Sequence, residues 1–165
     1  MRDILSVGIG SAIRKTSTMD EVEVAVMLAD ISGSTALYEE VGNVEALSRV
    51  SACLDLLRDV IERNGGQFIS SKGDDVLCIF ESPQATLDVG IQMFDETQGN
   101  GLSLHAGVDY GKVIRARNDV FGDSVNMAAR LASVANSGEV LCSQDVYDHL
   151  SGDYRAMLRL SLIHI

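Results

Sequence analysis

The chain has 165 residues, is 46% apolar and 22% charged, and sets 13 Lys and Arg against 24 Asp and Glu, a formal net charge of −11. One domain of this size fills a single core, and the acidic balance excludes a nucleic-acid binder, whose phosphate contacts need a basic surface. No apolar run approaches the roughly 20 residues of a membrane span, and Cys53, Cys78 and Cys142, isolated in apolar runs and odd in number, read as reduced core residues of a cytoplasmic protein.

Residues 1–20 read as a leader or linker. The apolar stretch Ile4–Ile13 follows Asp3 and a lone Arg2, a poor start for a signal peptide. Gly8–Thr16 (GIGSAIRKT) fails as a phosphate loop, because Arg14 stands where a glycine should precede the lysine. Glu21–Asp30 (EVEVAVMLAD) alternates and then runs apolar, the pattern of a strand that becomes buried. The polar turn Ser32-Gly33-Ser34-Thr35 can cap a short helix. Over Val44–Arg63, Leu47, Val50, Leu54, Leu57 and Ile61 recur at helical spacing, and Asn64-Gly65-Gly66 ends the helix. Gln67–Ser71 and Asp75–Glu81 predict a hairpin around Lys72-Gly73-Asp74. Ser82 and Pro83 suit the N-cap and first turn of a helix to about Thr97.

Leu102–Asp109 and Lys112–Arg117 predict a second hairpin around Tyr110-Gly111. A helix over Ser124–Val134 and a strand over Glu139–Cys142 follow. The order β, α, ββ, α, ββ, α, β predicts an α+β, ferredoxin-like (βαββαβ-derived) sheet with helices packed on one face.

Asp30 and Asp74 stand at strand ends, and ionised carboxylates there are hard oxygen ligands suited to Mg²⁺. Each Asp alone is equally a turn-capping residue. Gly33 and Gly73 let the backbone come close to a ligand, and the amides of Ser32, Gly33, Ser34 and Thr35 at a helix start can cradle phosphate oxygens. Asn126 and Arg130 are four apart and share a helix face, with Val125, Ala128, Ala129 and Ala132 available for packing. Asn offers directional hydrogen bonds and Arg a fixed fork of charged donors, a pair suited to a phosphoryl group. His105, His149 and His164 lack metal-ligand spacing and read as structural or exposed.

Three blocks occur in order: ADISGST at Ala29–Thr35, GGQFISSKGDDVLCIF at Gly65–Phe80, and VFGDSVNMAARLASVANSGEVLCS at Val120–Ser143. Together they resemble the signature blocks of class III adenylyl and guanylyl cyclases, and the likeness runs from about Val22 to Tyr147. The resemblance implies a lyase that converts ATP to 3′,5′-cyclic AMP and pyrophosphate for intracellular signalling, with two Mg²⁺ or Mn²⁺ ions. It implies that Asp30, Asp74 and the Ile31 carbonyl hold the metals, that Asn126 orients the ribose, and that Arg130 stabilises charge on the α-phosphate. It further implies a homodimer whose two sites are shared between subunits.

Two positions bear on the base. Ser70 stands where adenylyl cyclases of this family usually carry a base-reading Lys, with Lys72 nearby on the same strand face, whereas Asp119 is the adenylyl-type residue at the second position. Asp119 thus favours ATP and Ser70 is silent; a guanylyl cyclase and a nucleotide-binding, dimerising module with little or no turnover are the alternatives. The family's phosphate-binding Lys downstream of the Asn–Arg helix has no counterpart here. Leu160–Ile165 (LSLIHI) coincides with the translation of a transposon end used in sequencing libraries, CTG TCT CTT ATA CAC ATC. It is read as an artefact following a C-terminally incomplete catalytic domain over 21–159, the alternative being a short closing strand. The segment after Ser151 is expected to pack poorly, for want of a strand partner.

Overall fold

The computed structural model describes residues 19–99 and 101–158. Residues 1–18 of the leader, with its Gly8–Thr16 stretch, and the LSLIHI tail with His164 lie outside them, whereas Asp20, read as the end of the leader, already belongs to the first strand.

A strand of 13 residues, β1 (Asp20–Ser32), forms the centre of the sheet, and its alternation divides the core. Met27, Ala29 and Ile31 point to one face, and Val24 and Val26 to the other. On the first face pack α2 (Asn43–Arg63) and α3 (Pro83–Thr97), reached through the short α1 (Ser34–Val41) and the hairpin of β2 (Gln67–Lys72) and β3 (Asp75–Phe80). Of the helical spacing read in the sequence, α2 buries Val50, Leu57 and Ile61, whereas Leu47 is 58% exposed and Leu54 only half-buried. Ala46, Cys53 and Val60 complete the inner face, and each large apolar side chain buried contributes about 1.5–3 kcal/mol by leaving water. Ser82 caps α3 by accepting from the Ala85 amide, with Pro83 in the first turn, as expected.

The predicted hairpin around Tyr110-Gly111 is not formed. Instead β4 (Ser103–Ala116) runs straight through both residues, pairing with β1 from Ser32↔Ser103 to Asp20↔Arg115. Gly111 serves contact rather than turning: a Cβ there would lie 2.5 Å from the Ser124 hydroxyl. The turn falls later, where Arg117 adopts φ 59°, and leads into β5 (Asp119–Phe121). The continuous ladder to β1 outweighs a local turn signal that glycine gives wherever it stands.

Next come α4 (Asp123–Val134), β6 (Val140–Cys142), α5 (Gln144–Asp148) and α6 (Gly152–Met157). The strand order is β2-β3-β1-β4-β5, with β6 joining β4 in parallel and all other pairs antiparallel. The α+β mixed sheet is as expected, but the helices are not confined to one face. Helix α4 packs across the opposite face, where Ala128 joins Val24, Val26, Ile79, Val113 and Val120. Gly107 of β4 permits this approach, since a Cβ there would meet the Ala128 carbonyl at 2.1 Å. The apolar residues on both sides of β1 and β3 require cover on both faces.

Cys53 and Cys78 are buried free thiols and Cys142 is partly buried, each pushed up from its ordinary pKa by burial. The segment after Ser151, expected to pack poorly as an unpartnered strand, is instead helix α6, which fully buries no residue but sets Tyr154 against the core, with Leu158 just beyond it. The helix is also pinned: the Tyr154 hydroxyl donates to Asp88 at 2.8 Å, and Arg155 donates to the carbonyls of Tyr147 and Asp148. Among the described residues no helix is long and apolar enough to cross a membrane.

Candidate functional site

The end of β1 and the β2–β3 turn meet in an acidic cluster. Gly73, at φ 70°, opens the two-residue turn that the Lys72↔Asp75 pair closes, and so brings Asp74 beside β1. The Ile31 amide donates to the Asp74 carbonyl at 3.2 Å, fixing the turn to the strand, while the Ile31 side chain is buried in the core. Carboxylate oxygens of Asp30, Asp74 and Asp75 lie within 4.8 Å of one another. Asp75 stands opposite Asp30 in the ladder; sequence reasoning passed over it, although the Asp74-Asp75 doublet was its signal.

Burial, and then the neighbouring Asp75 and Asp74 carboxylates, push the Asp30 pKa up from 3.8 to about 7. Three converging carboxyl groups at a partly buried point fit a hard divalent cation, which neutralises them and takes oxygen ligands. The donor set therefore fits Mg²⁺ or Mn²⁺.

Ser34 was expected to help cap α1. Its hydroxyl instead donates to Asp74 Oδ2 at 2.7 Å, and the N-cap is Gly33 at φ 88°, with no side-chain cap. The first turn of α1 thus keeps its amides clear of capping side chains, next to the acidic cluster and to Ser32 and Thr35.

Asn126 and Arg130 lie together on the exposed side of α4, opposite the buried Ala128, Leu131 and Ala132; Val125 and Ala129 are half-buried. Among the described residues neither polar side chain has a hydrogen-bond or ion-pair partner. Ser70 lies half-buried on β2, just past an irregularity in its pairing between Phe68 and Ser70, and Lys72 is exposed two residues on. Asp119 begins β5, its Oδ1 accepting from the Val120 amide at 2.9 Å.

The three histidines lacked ligand spacing in the sequence, yet His105 sits against the cluster. Its Nε2 is 3.1 Å from Asp30 Oδ2, and its Nδ1 is 2.6 Å from the Ser32 hydroxyl. No sequence pattern carried that signal, because β4 reaches β1 only through the sheet register. His149 is structural, with Nδ1 2.7 Å from the Asp145 carbonyl and its ring against Tyr110.

A mixed, helix-covered sheet with three carboxylates at the end of its central strand defines an α+β domain with a candidate divalent-metal site. Residues 16–162 match the family described as the adenylate and guanylate cyclase catalytic domain, and the chain belongs to that family. It is 29% identical over 136 residues to an adenylate cyclase of Glutamicibacter nicotianae, covering 81% of this chain and 34% of that protein. It is 32% identical over 130 residues to a pH-sensitive adenylate cyclase of Mycobacterium tuberculosis, covering 78% of this chain and 32% of that protein. The chain thus spans about a third of the length of such relatives.

The crystal structure of the adenylyl cyclase CyaB from P. aeruginosa has the same fold, with a TM-score of 0.73 at 22% identity over 79% of this chain and 81% of that one. The catalytic core of a rhodopsin-guanylyl cyclase with converted specificity, in complex with ATPαS, superposes with a TM-score of 0.75 at 18% identity over 82% of this chain and 85% of that one. Cyclase domains of this family use divalent metals, bind nucleotide and dimerise.

Proposed function

We propose that this domain converts ATP to 3′,5′-cyclic AMP and pyrophosphate, and that it does so as a homodimer. The observation that carries the reading is the convergence of Asp30, near the end of β1, and Asp74, in the β2–β3 turn, beside the start of α1, which has no side-chain cap.

In this reading Asp30, Asp74 and the Ile31 carbonyl hold two Mg²⁺ or Mn²⁺ ions, and Asp75 adds negative charge beside them. When bound, the metals supply acidity to the ribose 3′-hydroxyl and neutralise the triphosphate. The reaction is an in-line displacement: the 3′-oxygen forms a bond to the α-phosphorus as the bond to the pyrophosphate oxygen breaks. The amides of Ser32–Thr35 receive phosphate oxygens, favoured by the helix start. Asn126 orients the ribose, and Arg130 stabilises the charge that grows on the α-phosphate. The exposed, unpartnered state of both side chains supports their use by the other subunit's nucleotide, so that each of two equivalent sites is built from both chains.

Asp119 accepts from the adenine amino group, and Ser70 and Lys72 flank the base. Ser70, in place of a base-reading Lys, is the observation that favours a second reading, in which nucleotide is bound for regulation with little turnover; a guanylyl cyclase is the other. The purified domain with Mg²⁺ or Mn²⁺ and either ATP or GTP, scored for cyclic product and pyrophosphate, tests all three. Cyclic AMP with pyrophosphate supports the proposal, cyclic GMP formed from GTP replaces it, and nucleotide binding without product supports the regulatory module.

A further inference from the structure

Asp30 and Ser32 are two residues apart on β1 and therefore on one side of the sheet, and β4 sets His105 directly opposite Asp30. The imidazole bridges the two: Nδ1 lies 2.6 Å from Ser32 Oγ and Nε2 lies 3.1 Å from Asp30 Oδ2. The ring is 18% exposed and the Asp30 side chain 30% exposed, so water competes only in part for either contact.

We propose that His105 is a positioning residue for the divalent cation at Asp30, an inference that rests on the metal-binding reading of Asp30 above. A neutral ring that donates from Nε2 to Asp30 Oδ2 leaves Nδ1 to accept from the Ser32 hydroxyl. One nitrogen thus sets the tautomer that the other presents. A carboxylate offers about four lone-pair sites, so one bond from His105 fixes its orientation and leaves the rest for the cation. A bond that fixes an outer-shell orientation of this kind affects metal affinity by about 10- to 100-fold in other metal sites. His105 touches the ligand, not the cation or the substrate, and acts through Asp30.

The test is titration of the whole chain with Mn²⁺ alone, reading free Mn²⁺ by electron paramagnetic resonance, with folding checked by circular dichroism. His105→Gln places an amide N–H near the position of Nε2 and reaches Asp30. His105→Asn places one near Nδ1, reaching Ser32 but not Asp30. The expected result is that His105→Ala and His105→Asn weaken Mn²⁺ binding by about 10- to 100-fold while His105→Gln stays close to the parent. Equal binding by Asn and Gln variants would show a merely structural bridge and overturn the proposal, and this comparison decides the matter even if His105→Ala fails to fold. Parent-like binding by all three variants, with binding lost in Asp30→Ala, would overturn the role of His105 and leave the metal reading standing. Parent-like binding by Asp30→Ala itself would overturn both.

Discussion

Asp30 on β1 and Asp75 on β3 face each other directly across an antiparallel pair, two carboxyl groups in a position where like charges repel. With Asp74 in the adjoining turn, the pair pushes the Asp30 pKa up to about 7, after the larger effect of burial. A sheet end built this way is destabilised when fully ionised, and a cation relieves it.

That arrangement fixes a pH dependence. The folded-state pKa of Asp30, about 7, lies above its unfolded value of 3.8, so the folded chain holds the proton more tightly. The associated stability is fully present below about pH 4 and is lost as pH rises through about 7. In the presence of EDTA, the melting temperature contributed by this group should fall over that window, and Asp30→Asn should flatten the fall. An unchanged slope in Asp30→Asn would assign the dependence to other groups.

Asp30→Ala and Asp74→Ala should each abolish cyclisation without unfolding the chain, because both side chains are partly solvent-exposed and neither belongs to the apolar core. Loss of a metal ligand removes several kcal/mol of charge stabilisation, at least about a hundredfold in rate. Product formation with saturating Mn²⁺, alongside the far-ultraviolet spectrum, makes the comparison. Full activity in a folded variant would remove the carboxylate from the metal site.

Asn126 and Arg130 should act across the dimer. Mixing inactive Asp30→Ala chains with inactive Arg130→Ala chains should restore about a quarter of the parent rate at statistical exchange, since half the dimers are mixed and each has one whole site. Subunit exchange demonstrated by mass, without recovery of cyclic product, would contradict sites shared between chains.

Gly107→Ala should destabilise the domain, because the added methyl would meet the Ala128 carbonyl at 2.1 Å and the Ala132 amide at 2.4 Å. Overpacking commonly costs about 1–3 kcal/mol, and here rigid backbone on both sides puts the loss toward the upper end. Urea unfolding measures it, and a parent-like midpoint would mean that α4 does not lie against β4 as described.

Much of this domain is legible in its residues because the signals are local. The apolar spacing of α2, the Ser82-Pro83 start of α3 and the turn glycine Gly73 each dictate structure within a few positions, and the three sequence blocks carry the family. Where glycine spoke for itself the reading failed: Tyr110-Gly111 looked like a turn, yet Gly111 is small to admit Ser124, a contact that only the packing of α4 creates. Asp75 was passed over because its partner Asp30 is distant in the chain, and His105 because no spacing along the sequence records a bridge between two strands. Helix α4 on the second face was likewise missed, the sequence having been read as helices on one face, since alternation tells which residues share a face but not which element covers it. Sequence by itself determined most of the elements and the family, and singled out two of the three clustered carboxylates; the pairing of β1 with β3 and β4 alone decided which side chains meet, because contact across a sheet depends on register rather than on distance along the chain.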